Sequence, residues 1–301
     1  MTPTAIPVTA AGARRRAADY LALAKPRVVA MVLVTTSVGF YLASHTLTDG
    51  LRLLHTLIGT GLAAGGTMAL NQWMERDLDA RMARTRHRPL PEGRLHAGEA
   101  LAFGLALLLG GVAWLAAAVN PLSAFITAAI GASYLLVYTP LKRVTPLCSV
   151  VGAIPGALPP VAGWAAAAGS LGAEPWILFA IVFLWQIPHT LAIGCIHRED
   201  YARAGIRVLP VIDGYGPRTA THALANSLAL VPVALLPTLV GLAGVLYGAV
   251  ALLLGLGMAW TALGLFRRRS PADARRLLVA SLVYLPVLLA AMALDKLPFA
   301  P

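Results

Sequence analysis

Asn71, Glu75 and Asp79 stand four residues apart. On a continuous helix they form one stripe that drifts by about 40° per step. Carboxylates converging on one stripe repel each other unless something cationic sits between them. Oxygen ligands suit a hard ion such as Mg2+, which is usually bound through one or two carboxylates together with substrate phosphates. Asn71 lies at the edge of an apolar run, where a polar side chain is costly without a partner. Just downstream, Arg84-Thr85-Arg86-His87-Arg88-Pro89-Leu90-Pro91 is a dense cationic stretch ending in a proline stop. Guanidinium groups recognise phosphate through bidentate hydrogen bonds. Carboxylates for a metal beside arginines for an anion make a diphosphate site. The plainer reading is a helix at the membrane edge held by i,i+4 pairs such as Asp77/Arg81.

A second acidic cluster favours the site. His197-Arg198-Glu199-Asp200-Tyr201-Ala202-Arg203 parallels Glu75-Arg76-Asp77-Leu78-Asp79-Ala80-Arg81, with Arg, acid, Ala and Arg recurring at matching places. Each stretch follows a long apolar run and closes on Leu-Pro, at Leu90-Pro91 and Leu209-Pro210. The pattern is a weak internal repeat. It predicts two clusters facing each other across a cavity, each holding a metal.

The elements that position these residues follow from composition. Hydrophobic residues make up 58% of the 301 and charged ones only 12%, with a formal net charge of +11. Soluble domains carry about twice that charged fraction. So few charges could not coat two soluble domains, which excludes a secreted disulfide scaffold, a disordered chain and an ordinary cytosolic enzyme. Nucleic-acid binding needs a basic face in water, so no nucleic-acid partner is expected. Cys148 and Cys195 sit far apart in apolar surroundings and read as small hydrophobes.

A bilayer core of about 30 Å takes roughly 20 apolar residues of helix. Nine runs qualify, near 27–45, 53–72, 98–118, 121–138, 147–167, 175–196, 219–240, 244–266 and 276–294. The basic start, Arg14 to Arg16, resembles a signal peptide, but no small-residue cleavage site follows and the first span reads as retained. Four connections are short: His45–Leu51, Asn120-Pro121, Gly169 and Gly241. The others are charged. Of 24 Lys and Arg, all but Arg52 and Lys296 fall on one side of the nine spans. The positive-inside rule puts that side, with the N-terminus, in the cytoplasm of a bacterial inner membrane. The expected architecture is an all-α integral membrane protein, about nine helices around a central cavity. Residues 1–26 read as a cytoplasmic tail and 27–301 as one membrane domain, with site loops at about 73–97 and 197–218. Pro155, Pro159 and Pro160 must kink or break the fifth span, either through ordinary membrane tolerance of proline or because that helix lines a cavity.

With those residues in place, the sequence resembles the intramembrane prenyltransferases of the UbiA type. Five ordered blocks carry the resemblance across nearly the whole chain: Asn71 to Pro91; Tyr138 to Pro146; Gly156 to Pro160 with Gly163-Trp164; Trp185 to His189; and Glu199-Asp200-Tyr201 with Ala204-Gly205-Ile206 and Leu209-Pro210-Val211. Within the superfamily it is most similar to the branch that farnesylates heme b. Three positions depart from the pattern. Glu75 stands where aspartate is usual, His197 and Tyr201 flank an irregular second motif, and Cys148 stands where asparagine is expected.

The resemblance implies transfer of a farnesyl group from farnesyl diphosphate to a heme b vinyl group, with Mg2+ as cofactor and heme A synthase as a candidate partner. Glu75, Asp79, Glu199 and Asp200 are then the expected metal ligands, and Asn71 orients a phosphate oxygen or a ligand. Arg84, Arg88, Lys142 and Arg143 take the diphosphate, helped by Arg76 and Arg198. Tyr138, with Tyr201, would shield a carbocation; otherwise Tyr138 is an interface aromatic. His189, inside the sixth span, contacts heme or else bonds a neighbouring carbonyl, with His197 as the alternative heme residue. His45, His55, His96 and His222 read as interface residues. Two other functions stay open: a prenyltransferase for an aromatic quinone precursor such as 4-hydroxybenzoate, and a transporter with a proline-broken helix.

Overall fold

A computed structural model describes residues 10–44 and 49–297 of the chain. His45 and most of the first short connection lie outside the described residues. Helix α1 (Ala10–Ala24) precedes α2 (Pro26–Ala43), α3 (Gly50–Asp79), α4 (Ala97–Ala118) and α5 (Pro121–Ala132). A π-helical turn, Ser133–Tyr138, leads into α6 (Thr139–Leu141), followed by α7 (Cys148–Ala157) and α8 (Pro159–Ala168). Then come α9 (Glu174–Ile196), α10 (Arg198–Arg203), α11 (Leu209–Asp213), α12 (Pro217–Leu239), α13 (Val245–Arg268) and α14 (Pro271–Leu294). Among the described residues nine spans are long and apolar enough to cross a membrane, the fourth built from α5, the π turn and α6 and the fifth from α7 and α8. This matches the nine apolar runs.

Proline at the first helical positions of α2, α5, α8, α9, α12 and α14 sets these starts, because an opening residue needs no N–H. The fifth span is broken at Leu158, between α7 and α8, where Pro159 and Pro160 remove two donors in succession. Residues 1–26, expected as a tail, include α1. Its Leu23 packs with Ala69, Leu90, Leu95 and Ala100, and Arg94 Nε donates to Asp19 Oδ1 at 2.9 Å. A helix therefore lies across the loop after α3.

The helices pack in neighbouring pairs, α3 on α4, α2 on α8, α12 on α13 and α13 on α14, with α9 touching α7, α12 and α14. Small residues permit this. A Cβ on Gly163 of α8 would lie 2.0 Å from the Thr36 carbonyl oxygen, and one on Gly39 of α2 would lie 2.0 Å from that of Pro160. Backbone rests on backbone there, the contact that lets helices associate in lipid.

The two ends of the bundle differ. At one end Arg52 Nη1 donates to the Ala167 carbonyl at 3.2 Å, and Lys296 Nζ donates to the carbonyls of Tyr41 and Ser44 at 2.6 and 2.7 Å. The two basic residues that break the charge bias thus cap helix C-termini, whose last carbonyls have no helical partner. The opposite end gathers the loops after α3, α6 and α9. Helix α3 at 30 residues spans about 45 Å, longer than the hydrocarbon layer, so its last turns reach the polar rim at that end.

Gly163→Ala is expected to lower the thermal midpoint of the detergent-solubilised protein, with a cost of about 1–3 kcal/mol from overpacking. Gly98→Ala, where an added Cβ meets nothing within 4 Å, should leave the midpoint in place or raise it slightly.

Candidate active site

Asn71, Glu75 and Asp79 lie along the last turns of α3 and are only 1%, 8% and 1% exposed. An ionised carboxylate taken out of water needs a counter-charge, and each finds one. Lys142, directly after α6, donates from Nζ to Glu75 Oε1 at 2.9 Å, and Arg88 donates from Nη1 to Asp79 Oδ2 at 2.6 Å. Asn71 Nδ2 bonds Glu75 Oε2 at 3.0 Å and Thr139 Oγ1 at 3.3 Å, while Asn71 Oδ1 accepts from Lys25 Nζ at 3.0 Å. Thr85 Oγ1 donates to the Asp79 carbonyl at 2.9 Å, turning the loop back so that Arg88 reaches the stripe.

The π turn positions the facing wall. The Thr139 N–H and Oγ1 both donate to the Tyr134 carbonyl five residues earlier, and such wide turns recur at functional sites. The Tyr134 and Tyr138 rings lie 5.0 Å apart, with Lys142 Nζ 6.0 and 4.4 Å from their centroids. Tyr138 fits because Gly152 of α7 has no side chain: a Cβ there would come within 2.4 Å of its ring. Burial works against the Lys142 charge, and the Tyr138 and Tyr134 phenols with the Glu75 carboxylate outweigh it, holding its pKa above the ordinary lysine range.

Lys25 is the functional candidate that sequence reasoning missed, having counted it only toward orientation. It joins α1 to α2 in the left-handed region, φ 49° and ψ 65°, a conformation costing a non-glycine residue on the order of 1 kcal/mol. Gln72, also missed, holds it there: its Nε2 donates to the Ala22 and Leu23 carbonyls at 3.1 and 2.8 Å. Burial, then the Arg88 and Lys142 charges, push the Lys25 ammonium down to about 7 against the pull of Glu75 and Asp79. The available signal was a lysine directly before Pro26 at the membrane edge. Thr139 lay inside the Tyr138 to Pro146 block without a role of its own, and Tyr134 gave no sequence signal.

The second cluster is built differently. Among the described residues no three His, Cys, Asp or Glu side chains already form a metal-ligand group. Asp200 Oδ1 accepts from the Ala83 N–H at 3.1 Å and pairs with Arg203, and these contacts outweigh its burial to keep its pKa low. Leu78 and Met82 pack against Ala204 and Ile206, and the Arg207 N–H donates to the Lys142 carbonyl at 2.7 Å. Asp200 thus ties two loops together. Glu199 is exposed.

His197, Arg198, Glu199 and Asp200 line a separate cavity of about 340 Å³ with Cys195 and Tyr215. Arg198 lies over the Tyr215 ring at 5.0 Å. Burial and then Arg84 lower the His197 pKa, against a smaller pull from Asp200. His189, on α9, stacks on Trp185 at 4.8 Å and shares a 2.8 Å hydrogen bond between Nδ1 and Ser281 Oγ. Its partner is a serine hydroxyl rather than a carbonyl. Of the remaining arginines, Arg76 lies over the Trp73 ring at 5.6 Å and donates to its carbonyl, and Arg84 and Arg143 are exposed. Cys148 is buried at the start of α7.

The first cluster can grip an anion. Its cations are oriented, and its carboxylate oxygens suit a hard cation shared with phosphates. The chain belongs to the UbiA prenyltransferase family, which it matches over residues 32–288. It is 51% identical over 287 residues to the protoheme IX farnesyltransferase of Solibacter usitatus, covering 92% of this chain and 98% of that one. It is 42% identical over 281 residues to the protoheme IX farnesyltransferase of Opitutus terrae, covering 93% and 95%. The fold is that of a digeranylgeranylglyceryl phosphate synthase, with a TM-score of 0.79 at 17% identity over 93% of this chain and 98% of that one. A UbiA homolog from Archaeoglobus fulgidus, bound to GPP and Mg2+, superposes with a TM-score of 0.67 at 20% identity over 91% and 99%. The chain is accordingly a multi-pass membrane prenyltransferase.

Lys25 is protonated below about pH 7 and neutral above it. Binding of an allylic diphosphate that draws on this charge should therefore weaken as pH rises from 6 to 8. Lys25→Arg, whose guanidinium stays charged, should flatten that slope relative to wild type, read by titration of the diphosphate at fixed Mg2+. Equal slopes would remove Lys25 from the binding step.

Proposed function

We propose that this chain transfers the farnesyl group of farnesyl diphosphate to a vinyl group of heme b, giving heme O and diphosphate for the cofactor of heme-copper oxidases. One observation carries the reading: an amide and two buried carboxylates on α3 meet Lys25, Lys142 and Arg88 at the rim of an apolar bundle. The names of the similar farnesyltransferases support heme as the acceptor.

Glu75 and Asp79 have the oxygen donors to hold Mg2+, which would supply charge neutralisation as diphosphate leaves. Glu199, exposed beside Asp200, is the other acid we assign to a metal, directly or through water. Lys142 and Arg88 bind the diphosphate oxygens, with Lys25 on the same side; Arg84, Arg143, Arg76 and Arg198 line the approach. Asn71 orients a phosphate oxygen. The C–O bond to diphosphate breaks, the prenyl carbon bonds to the terminal vinyl carbon, and water captures the remaining cation and releases a proton. The Tyr138 ring faces developing positive charge favourably. The apolar helices hold the prenyl chain and exclude water until attack.

Heme would reach the same end of the bundle through His189 or His197. With Nδ1 of His189 engaged by Ser281, Nε2 is the nitrogen left for iron, and imidazole is a common axial ligand. The arginine-rich end faces the cytoplasm of the bacterial inner membrane by the positive-inside rule, and a heme A synthase would take the product.

Incubating the purified protein with heme b, farnesyl diphosphate and Mg2+ should give a heme product heavier by one farnesyl group and one hydroxyl. Chelation should abolish turnover and added Mg2+ restore it. Glu75→Gln should cost about a hundredfold or more in rate, the scale of losing one electrostatic group at a charged transition state. Turnover of 4-hydroxybenzoate with no heme product would replace this reading by that of a quinone-precursor prenyltransferase. Full activity in Glu75→Gln and Asp79→Asn would overturn the site.

A further inference from the structure

Away from the α3 site, the turn from α13 to α14 carries Arg267, Arg268, Arg269, Arg275 and Arg276. The charge bias that orients a membrane protein accounts for arginines in this loop. It does not account for how three of them are arranged. Asp273 is 1% exposed, and its carboxylate accepts from Arg268 Nε at 3.0 and 3.1 Å, from Arg268 Nη2 and from Arg276 Nη1 at 3.1 Å. Ser270 Oγ donates to it as well, at 2.6 Å. A buried acid thus fixes two guanidinium groups that otherwise stand open, with side chains 58% and 65% exposed. Among the described residues, Arg268 Nη1 and Arg276 Nε and Nη2 have no hydrogen-bond partner. Arg275 is exposed beside them.

These three arginines and Asp273 border a cavity of about 750 Å³ whose other walls are apolar or small: Trp260, Thr261, Val279 and Ala280. Trp260 is 73% exposed on the outer face of α13, about two turns below Arg268. Three arginines against one aspartate leave two positive charges at the rim. An apolar wall runs from there toward the middle of the bilayer. A soluble anion would use the rim and leave the wall bare; a lipid uses both.

We propose that this cavity seats one anionic phospholipid of the surrounding bilayer, its phosphate on Arg268, Arg275 and Arg276 and an acyl chain along Trp260 and Val279. Basic pockets between membrane helices on the cytoplasmic side bind anionic headgroups in this way. The site shares no residue with the α3 cluster, so it stands whatever the acceptor substrate.

The test uses the full-length protein in nanodiscs. Wild type should retain phosphatidylglycerol at least about tenfold better than phosphatidylcholine in native mass spectrometry, and R275Q/R276Q should lose about tenfold of that preference. R267Q/R269Q removes the same charge outside the cavity and should change retention by less than about threefold. Equal losses in the two double variants would reduce the effect to diffuse attraction and overturn the proposal. So would equal retention of the two lipids, or displacement of the lipid by millimolar inorganic phosphate. Should R275Q/R276Q fail to fold, the bilayer itself decides. Phosphatidylglycerol with brominated acyl chains should quench wild-type tryptophan fluorescence more than brominated phosphatidylcholine does. That excess should vanish in Trp260→Phe, and its persistence there would overturn the placement.

Discussion

Charge held out of water without a partner is what this architecture must avoid, and the contact that meets the demand is Lys142 on Glu75. Both side chains are about nine-tenths buried, and removing one member of such a pair strands the other at a cost of several kcal/mol. The pair joins the end of α3 to the end of the fourth span. Asn71 extends it to Thr139 and Lys25, and Arg88 on Asp79 extends it to the loop after α3. Three segments distant in sequence, and the loop that follows one of them, are thereby fixed at one point. Catalytic electrostatics depend on dipoles and charges set in place before reaction, and at the proposed site the interactions that stabilise the polar rim are the ones that would hold those charges in place.

Irregularities of the helices serve this point. The π turn redirects the fourth span so that Thr139 and Lys142 face α3, and the break at Leu158 separates α7 from α8. Gly152 on α7 then admits the Tyr138 ring, while Gly163 on α8 lets that helix lie directly on α2. A straight fifth helix with larger residues would satisfy one of these contacts and lose the other.

The basic residues divide by what holds them. Arg52 and Lys296 at one end close helix termini. At the other end, Lys25, Arg88 and Lys142 are held by the α3 stripe and Arg203 by Asp200, whereas Arg268 and Arg276 are ordered by a single buried Asp273. Arg84, Arg143 and Arg275 remain exposed. A positive excess needed only for topology would not require buried acids. The acids mark where the excess has been given a geometry.

By itself the sequence determined the all-helical membrane class, the nine spans, their common basic side and the stripe on α3. Each follows from a local rule: run length against bilayer thickness, loop charge, and the period of a helix. Only the tertiary structure decided which cations meet which acids. Lys25 reads as a topology charge until Gln72 anchors α1 and the left-handed turn at Lys25 aims it at Asn71. The repeat around Glu199 and Asp200 suggested a facing metal site; the fold adds that Asp200 accepts from the Ala83 N–H and pairs with Arg203, contacts the repeat could not supply because spacing along a chain carries no information on which loop packs against which. The π turn was equally invisible, since Ser133 to Tyr138 has the composition of an ordinary apolar helix and the wider winding shows only in the folded chain, where the turn packs against α3, α5 and α7.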